Sequence, residues 1–158
     1  MSTERAKAYL EEKGYGDRVI IHEKSCATVE LAAAALGVDG ARIAKSLTFM
    51  AGDKPLMVVA AGDMKIDNPK YKAEFGVKAK MLTPAEVDEL IGHSVGGVCP
   101  FGINEGVRVV LDVSLKRFDT VYPACGGSNN AVRLTVDELE KLSGAEKWVD
   151  VCKEVPAV

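Results

Sequence analysis

Lys45 is the first residue of the sequence whose type and setting could serve chemistry. It stands between Ile43-Ala44 and an apolar segment that begins at Leu47. In that setting the stem of a lysine can pack on apolar neighbours while its ammonium reaches a phosphate or a carboxylate. A strand-end lysine that simply extends into solvent fits the same residues, so the local sequence leaves both interpretations open.

A glycine-rich loop is the second candidate, with the sequence Gly96-Gly97-Val98-Cys99-Pro100-Phe101-Gly102. Two adjacent glycines let the backbone approach a ligand closely, and their N–H groups can converge on one point. Such a loop could bind a carbonyl group and orient water without a side-chain nucleophile. A tight structural connection is the alternative that this composition also allows.

Cys99 within that loop is a candidate nucleophile, with His22 or His93 as its base. One cysteine and two scattered histidines form a weak pattern, however, and a free cysteine usually behaves as a small hydrophobic residue. A packed or pocket-lining thiol is therefore the preferred interpretation. Residues 126–130, two glycines followed by Ser128-Asn129-Asn130, are interpreted as a hairpin turn, because Gly and Asn adopt positive φ readily.

The elements that must position these segments follow from hydrophobic periodicity and capping signals. Helices are predicted to begin at Ser2 or Thr3, Thr28, Asn68, Thr83 and Thr135. Strands are predicted over residues 18–22, 47–50, 56–61, 107–111, 121–125 and 131–134, with a short one near 147–151. Strands 47–50 and 56–61 flank a Gly-Asp-Lys-Pro turn and read as a hairpin. The interspersed order predicts a mixed α+β fold whose sheet could close on itself, flanked by helices.

Length and composition exclude several classes of protein. The 158 residues suit one domain, taken as residues 1–158, and 47% apolar with 27% charged residues is typical of a globular protein. The sequence has no apolar run of about 18 residues, and its polar N-terminus is unlike a signal peptide. The four cysteines lack CxxC spacing, so we expect reduced thiols and no zinc site. No glycine-rich nucleotide-phosphate motif occurs.

The charge is unevenly distributed along the chain. The net charge of −3 divides into −1 for residues 1–30, +3 for residues 31–82 and −5 for residues 83–158. This balance excludes binding of nucleic acid through bulk positive charge. It allows a local basic rim, and we expect the basic side chains of the middle segment to border a pocket: Arg42, Lys45, Lys65, Lys70, Lys72, Lys78 and Lys80.

Four ordered segments give the sequence a specific resemblance. They are residues 28–37, which begin Thr28-Val29-Glu30, residues 42–47, the tripeptide Ala61-Gly62-Asp63, and the 96–102 loop. Asp112-x-Ser114-Leu115, Val121-Tyr122 and Leu134-Thr135 extend the pattern. With these motifs the chain resembles the YbaK / prolyl-tRNA synthetase-associated editing-domain family over about residues 20–145.

That resemblance implies both a fold and an activity. The family forms a compact mixed α/β domain with a partly barrel-like central sheet, and its members hydrolyse the ester of mischarged aminoacyl-tRNA. The expected substrate is tRNA for proline carrying alanine or cysteine, edited in trans in the cytoplasm without a cofactor or metal. The expected partners are the 3′-terminal adenosine and aminoacyl group of the tRNA, with prolyl-tRNA synthetase as a further candidate partner.

The resemblance also assigns residues. The family lysine falls on Lys45, as the catalytic-site residue that holds the terminal adenosine. The family GxxxP motif falls on Gly96 to Pro100, so the 96–102 loop is expected to line the aminoacyl pocket. Thr28, Ser128 and Asn129 are carried over as further pocket residues. Where some members have an acidic residue before the last helix, this chain has residues 131–134, Ala-Val-Arg-Leu.

Two other functions remain open at this point. One is a non-catalytic module of the same fold that binds tRNA or a synthetase. The other is a small-molecule hydrolase that depends on Cys99.

Overall fold

A computed structural model describes residues 2–23, 25 and 28–155. The strands of this part of the chain are β1 (Val19–Ile21), β2 (Ile43–Ala51), β3 (Lys54–Ala61), β4 (Met64–Ile66), β5 (Arg108–Asp112), β6 (Thr120–Pro123), β7 (Asn130–Val132), β8 (Leu134–Thr135), β9 (Lys147–Val149) and β10 (Cys152–Glu154). Its α-helices are α1 (Ser2–Glu12), α2 (Val29–Leu36), α3 (Asn68–Phe75), α4 (Pro84–Glu86) and α5 (Val136–Ser143).

The helices begin where their capping residues predict. Thr28 accepts a hydrogen bond from the N–H of Leu31 at the start of α2, and Gly37 ends that helix in the left-handed conformation. Thr83 and Thr135 each form a complete capping box, with Glu86 and Glu138 respectively. These side chains satisfy N–H groups that a helix start leaves without partners. The helix starts predicted at Thr28, Thr83 and Thr135 are therefore confirmed.

A hairpin of β2 and β3 forms the centre of the main sheet. The two strands pair antiparallel from Ala44 opposite Ala61 to Ala51 opposite Lys54. The full sheet has the order β8-β6-β2-β3-β5-β9 and curls as a half barrel. Strand β2 pairs parallel with β6, and β3 with β5. The mixed α+β fold and the hairpin are thus confirmed, and β2 is longer than predicted because it starts at Ile43.

Two short ladders complete the framework. Strand β7 pairs with β1, and β10 with β4. Residues 126–130 connect β6 to β7 as predicted for a hairpin turn, since Ala124 bridges Ala131 and Val121 pairs with Leu134. Strands β4 and β10 were not predicted, because three residues are too few to show an alternating pattern.

The main sheet is buried on both faces. Met57, Val59 and Ala61 of β3 pack into the larger core, whereas Val58 and Ala60 face the second. A continuous apolar strand of this kind is expected where both faces of a sheet are covered. Among the described residues, no helix has the length and apolar character needed to cross a membrane.

We predict that Phe49→Ala destabilises the fold by about 3–5 kcal/mol, as expected for a buried aromatic side chain that leaves a cavity. Phe49 is 2% exposed, and its ring lies 5.2 Å from that of Tyr71 on α3. Urea unfolding followed by circular dichroism measures the change. Val77→Ala, at a position 37% exposed, is the control and should change the free energy of unfolding by less than about 0.5 kcal/mol. Equal effects of the two substitutions would contradict this role of Phe49.

Candidate functional site

A pocket of about 360 Å³ opens beside strand β2. Its walls come from four parts of the fold: the start of α2, residues 43–48 of β2, the segment that leads into α4, and the 96–102 loop with residues near β6 and β7. The lining residues include Thr28, Val29, Ala32, Lys45, Ser46, Thr48, Met81, Leu82, Val87, Val95, Gly96, Val98, Tyr122, Ala124 and Asn130. Most are apolar, and polar side chains come from the start of α2 (Thr28), from β2 and from β7 (Asn130).

A gap in the pairing of β2 produces this pocket. The ladder with β6 covers Ile43 and Ala44 and ends there. On the same edge, the next main-chain contact is the hydrogen bond from the N–H of Leu82 to the carbonyl of Thr48, beside the bridge between Phe49 and Met81. Between these contacts, residues 45–47 have no neighbouring strand on that side within the described part of the chain, and residues on both faces of β2 border the opening.

Lys45 lies in this gap and is half-buried. Its ammonium donates a hydrogen bond to the carbonyl oxygen of Met64. Burial lowers the pKa of Lys45, and the acidic groups around it, Asp63 and Glu30 among them, oppose that change. Arg117 binds both carboxylate oxygens of Asp63, at 2.6 and 3.0 Å. Because an ammonium has three donors, Lys45 retains donors for a ligand.

The predicted loop divides between the pocket and the interior. Gly96 and Val98 line the pocket. Gly97 packs on the 126–130 turn, where its carbonyl accepts a hydrogen bond from Gly126 and an added Cβ would lie 2.5 Å from the carbonyl carbon of Gly126. The remaining loop residues do not line the pocket: Cys99, Pro100 and Phe101 are buried, and Gly102 lies against Arg5 of α1.

The other three predicted pocket residues are split between two openings. Thr28 lines the pocket and also caps α2. Ser128 and Asn129 lie instead with Gly97 in a separate open crevice of about 400 Å³. Asn129 is held at that position by reciprocal hydrogen bonds with the main chain of His22. The structure thus brings together Thr28, Lys45, Gly96 and Val98 but separates them from Ser128 and Asn129.

Asn130 is a pocket residue that the sequence did not identify. It is 1% exposed, and its Oδ1 accepts hydrogen bonds from the N–H groups of Cys125 and Gly127. These two donors fix the orientation of the amide, and its Nδ2 is buried without a partner among the described residues. A buried amide with unused donors calls for an acceptor. The Gly-Gly-Ser-Asn-Asn turn was the available signal, but it does not show which asparagine points inward.

Cys99 has the environment of a packed thiol. It is fully buried, and burial raises its pKa strongly. Its Sγ lies 3.5 Å from Nε2 of His93, but that nitrogen is 2.7 Å from the carbonyl oxygen of Phe101. A carbonyl only accepts, so Nε2 carries the proton and cannot take one from Cys99. This geometry argues against a Cys99–His93 nucleophilic pair.

The other two thiols in the described part of the chain are also buried. Cys99, Cys125 and Cys152 are free, and burial raises the pKa of Cys125 to about 11 and that of Cys152 to about 12. Cys26 lies outside the described residues. Within the described ranges, no group of three His, Cys, Asp or Glu side chains is arranged to hold a metal ion.

The expected basic rim is not assembled around the pocket. Of the seven basic residues considered, Lys45 is among the lining residues and the other six are not. Lys70 pairs with Asp150 and also donates to the carbonyl of Cys152. Arg42 donates to the carbonyl of Thr120 and lies over the ring of Phe118. Lys70 and Arg42 are therefore held away from the pocket by other partners. Their closeness to Lys45 in the sequence did not predict their positions in the fold.

The sequence and the fold both match known proteins of one family. A family model described as the aminoacyl-tRNA editing domain matches residues 23–142. A solved structure described as a candidate trans-editing enzyme for prolyl-tRNA synthetase superposes with a TM-score of 0.87 and 32% identity, over 96% of this chain and 97% of the other.

Relatives include free-standing proteins and parts of larger ones. YwhH of Bacillus subtilis (strain 168), itself uncharacterized, is 50% identical over 98% of this chain and 99% of its own length. A multifunctional Ser/Thr-tRNA deacylase, ProXp-y of Escherichia coli (strain K12), is 27% identical over 90% of this chain and 89% of its own. A proline–tRNA ligase of Lactiplantibacillus plantarum is 29% identical, but the match spans 22% of that ligase.

We predict that the buried thiols make stability fall in alkaline solution. A thiol whose pKa is raised by folding stays protonated in the fold while it ionises in the unfolded chain, so its stabilisation is present below about pH 8.5 and is lost as the pH rises above that value. Urea titrations under reducing conditions at pH 7.5, 9 and 10 should show a falling free energy of unfolding. Each thiol contributes up to about 1.4 kcal/mol per pH unit.

Cys99→Ala is the matched control for that experiment. Removing the most deeply buried of the three thiols should make the fall with pH shallower, whatever the substitution does to stability at pH 7.5. Identical pH dependence in the two proteins would show that Cys99 does not titrate differently in the folded and unfolded states.

Proposed function

The chain belongs to the aminoacyl-tRNA editing domain family, and on that premise we propose that it is a free-standing enzyme that deacylates mischarged tRNA in trans. The proposed substrates are alanyl- and cysteinyl-tRNA for proline, and the proposed location of the reaction is the cytoplasm. The observation that supports this best is the pocket at the gap in β2, which combines Lys45 with Gly96 and Val98 of the glycine-rich loop. Relatives that match over nearly their whole length support a protein that acts on its own.

The reaction requires little from the protein. A water molecule adds to the carbonyl carbon of the aminoacyl ester, the bond from that carbon to the ribose oxygen breaks, and the ribose oxygen takes up a proton. The ester is already activated, and the neighbouring ribose hydroxyl can assist. The protein therefore needs to hold the two ends of the bond and stabilise the oxyanion, for which one well-placed donor contributes about 2.7–4 kcal/mol.

Each part of the pocket then has a task. Lys45 anchors the terminal nucleotide through its ammonium, which can bind the phosphate or the ribose. Gly96 and Val98 contact the aminoacyl group, and Asn130 offers its Nδ2 donor to an oxygen of the substrate. Met81 and Val95, which are 62% and 64% exposed at the pocket mouth, present apolar surface to the terminal base.

We expect the edited amino acid to be small because a synthetase discriminates poorly against amino acids smaller than its own substrate. A hydrophobic synthetase pocket separates substrates by only about 1–3 kcal/mol per methylene group, so smaller amino acids are attached in error. A second pocket that admits the smaller group and excludes the correct one removes the error. The Escherichia coli relative is described as a Ser/Thr-tRNA deacylase, so a test of this proposal must include serine and threonine.

We predict that Lys45→Ala lowers kcat/KM for hydrolysis of alanyl- or cysteinyl-tRNA by about 10- to 100-fold, because charge-assisted hydrogen bonds contribute about 1.5–3 kcal/mol. Release of labelled amino acid from a panel of mischarged tRNAs measures the rates. The matched control is Lys65→Ala, which removes the same charge from an exposed position on β4 and should leave the rate within about twofold.

Two results would contradict the proposal in different ways. Unchanged hydrolysis by Lys45→Ala would remove the role given to Lys45. No turnover by the wild-type protein on any mischarged tRNA, with binding retained, would identify a non-catalytic tRNA-binding module instead.

We also predict that Asn130→Asp lowers kcat by about 100- to 1,000-fold, the usual cost of losing one oxyanion donor. The substituted carboxylate can still accept from Cys125 and Gly127 but offers no donor to the substrate at neutral pH. Asn129→Asp, one residue away in the separate crevice, is the matched control and should retain the wild-type kcat. A loss in both variants would point to a charge effect rather than to a donor at Asn130.

A further inference from the structure

We infer that the main chain of Ser46 binds the aminoacyl group of the substrate, as if that group were one residue of an added antiparallel strand. The inference rests on the proposed function, since it names the substrate group that fills the gap in β2. It concerns the N–H and C=O groups of Ser46, which neither the family match nor the sequence motifs assign.

The register of the hairpin decides which way these groups point. Gly52 and Asp53 form a two-residue turn between the paired residues Ala51 and Lys54. The pair that closes such a turn is hydrogen-bonded, and hydrogen-bonded pairs recur at every second residue. The odd-numbered residues of β2 therefore bond to β3, and the main-chain groups of the even-numbered residues face the opposite edge.

Two hydrogen bonds on that opposite edge confirm the alternation. The N–H of Met50 donates to the carbonyl of Lys80, and the carbonyl of Thr48 accepts from the N–H of Leu82. Both partners belong to the segment that precedes α4 rather than to β3. Ser46, which is also even-numbered, therefore directs its N–H and C=O away from β3 and towards the pocket that it lines.

Neither neighbour on that edge reaches Ser46. The β6 ladder ends with Ala44 opposite Pro123, and the contacts of residues 80–82 stop at Thr48. A side-chain observation points the same way: the Oγ of Ser46 is buried without a hydrogen-bond partner among the described residues. Buried polar groups are nearly always paired, so an unpaired stretch of strand edge in an apolar-walled pocket calls for a ligand.

An aminoacyl ester has the complementary pattern. Its α-ammonium is a donor and its ester carbonyl is an acceptor, and both are attached to one α-carbon, as the N–H and C=O of a peptide residue are. In an antiparallel sheet, a hydrogen-bonded pair of residues exchanges two bonds of this kind. The ammonium would donate to the carbonyl of Ser46, while the N–H of Ser46 would donate to the ester carbonyl oxygen.

This arrangement separates recognition from selection. Pairing with the strand edge recognises the α-amino and carbonyl groups that all aminoacyl esters share, as in strand addition by extended peptides. The side chain of the amino acid is left to the pocket walls, which select by size. The N–H of Ser46 also polarises the carbonyl that water attacks and so acts beside Asn130.

The experiment uses a substrate analogue that cannot be hydrolysed as an ester. The probe is 3′-alanylamido-3′-deoxyadenosine, in which an amide replaces the ester, titrated into the full ¹⁵N-labelled chain. We expect the amide resonance of Ser46 to shift and its hydrogen exchange to slow at saturation. Shifts at other pocket residues with no change at Ser46, or no binding at millimolar concentration, would overturn the inference.

Two variants of one residue separate its main chain from its side chain. Ser46→Pro deletes the N–H that faces the pocket, and proline is compatible with a strand edge where that N–H is not used by the ladder. We expect Ser46→Pro to bind the probe up to about tenfold more weakly, the effect of one lost hydrogen bond between neutral groups. Ser46→Ala keeps the N–H and removes only the hydroxyl, so it should bind the probe more tightly than Ser46→Pro does. Wild-type affinity in Ser46→Pro would refute the proposed pairing.

A second probe keeps the inference testable if Ser46→Pro does not fold. The 3′-propionylamido analogue retains the carbonyl but lacks the ammonium, so it should bind wild type at least about tenfold more weakly than the alanyl analogue, and equal affinity would overturn the pairing. Failure of the proposed function is distinguishable: it would appear as binding at Ser46 without hydrolysis of any aminoacyl-tRNA. Hydrolysis without engagement of Ser46 would leave the function and remove the inference.

Discussion

The register of β2 against β3 is the constraint on which the site depends. Because the hairpin closes between Ala51 and Lys54, the alternation along β2 is fixed, and the even-numbered residues face the outer edge. Two neighbours then cover that edge at its ends. Strand β6 pairs with β2 up to Ala44, and Met81 bridges Phe49 towards the other end of β2. A shift of the β2–β3 pairing by one residue would direct the N–H and C=O of Ser46 towards β3. These groups would then be unavailable to a ligand in the pocket.

Electrostatics in the site are local. The protein carries a net charge of −3, and the described residues do not offset this with a basic rim around the pocket. Among the described lining residues the one cation is Lys45, which is half-buried and interacts with the charge of Asp63. Arg117 binds both carboxylate oxygens of that Asp63. Such an arrangement suits a ligand with one charged group near the pocket and gives no long footprint for a nucleic-acid backbone. The selectivity of the proposed reaction would accordingly come from the end of the tRNA.

Packing assigns several apparently reactive residues to structural roles. Cys99 and Phe101 support the glycine-rich loop from within, and His93 fixes its path by a hydrogen bond to the carbonyl of Phe101. Gly97 permits the close contact between this loop and the 126–130 turn. The same turn carries Asn130, whose amide is locked by the N–H groups of Cys125 and Gly127. The thiol and the histidine thus position the pocket wall rather than contribute a nucleophile.

The sequence by itself determined the helix starts, the central hairpin and the mixed α+β class, because capping residues such as Thr28 and the short apolar run of β3 act over a few neighbouring positions. It also marked Lys45 and Gly96, which the structure places in one pocket. The tertiary structure alone decided that Asn130 points inward while Asn129 does not, that Lys70 is paired with Asp150, and that Ser46 lies at an open strand edge. The pairing of Lys70 and the open edge at Ser46 depend on contacts between residues distant in the chain, which local patterns of residue type do not encode. The orientation of Asn130 depends on the path of its own turn, where Cys125 and Gly127 donate to its Oδ1, and residue types alone do not give that path.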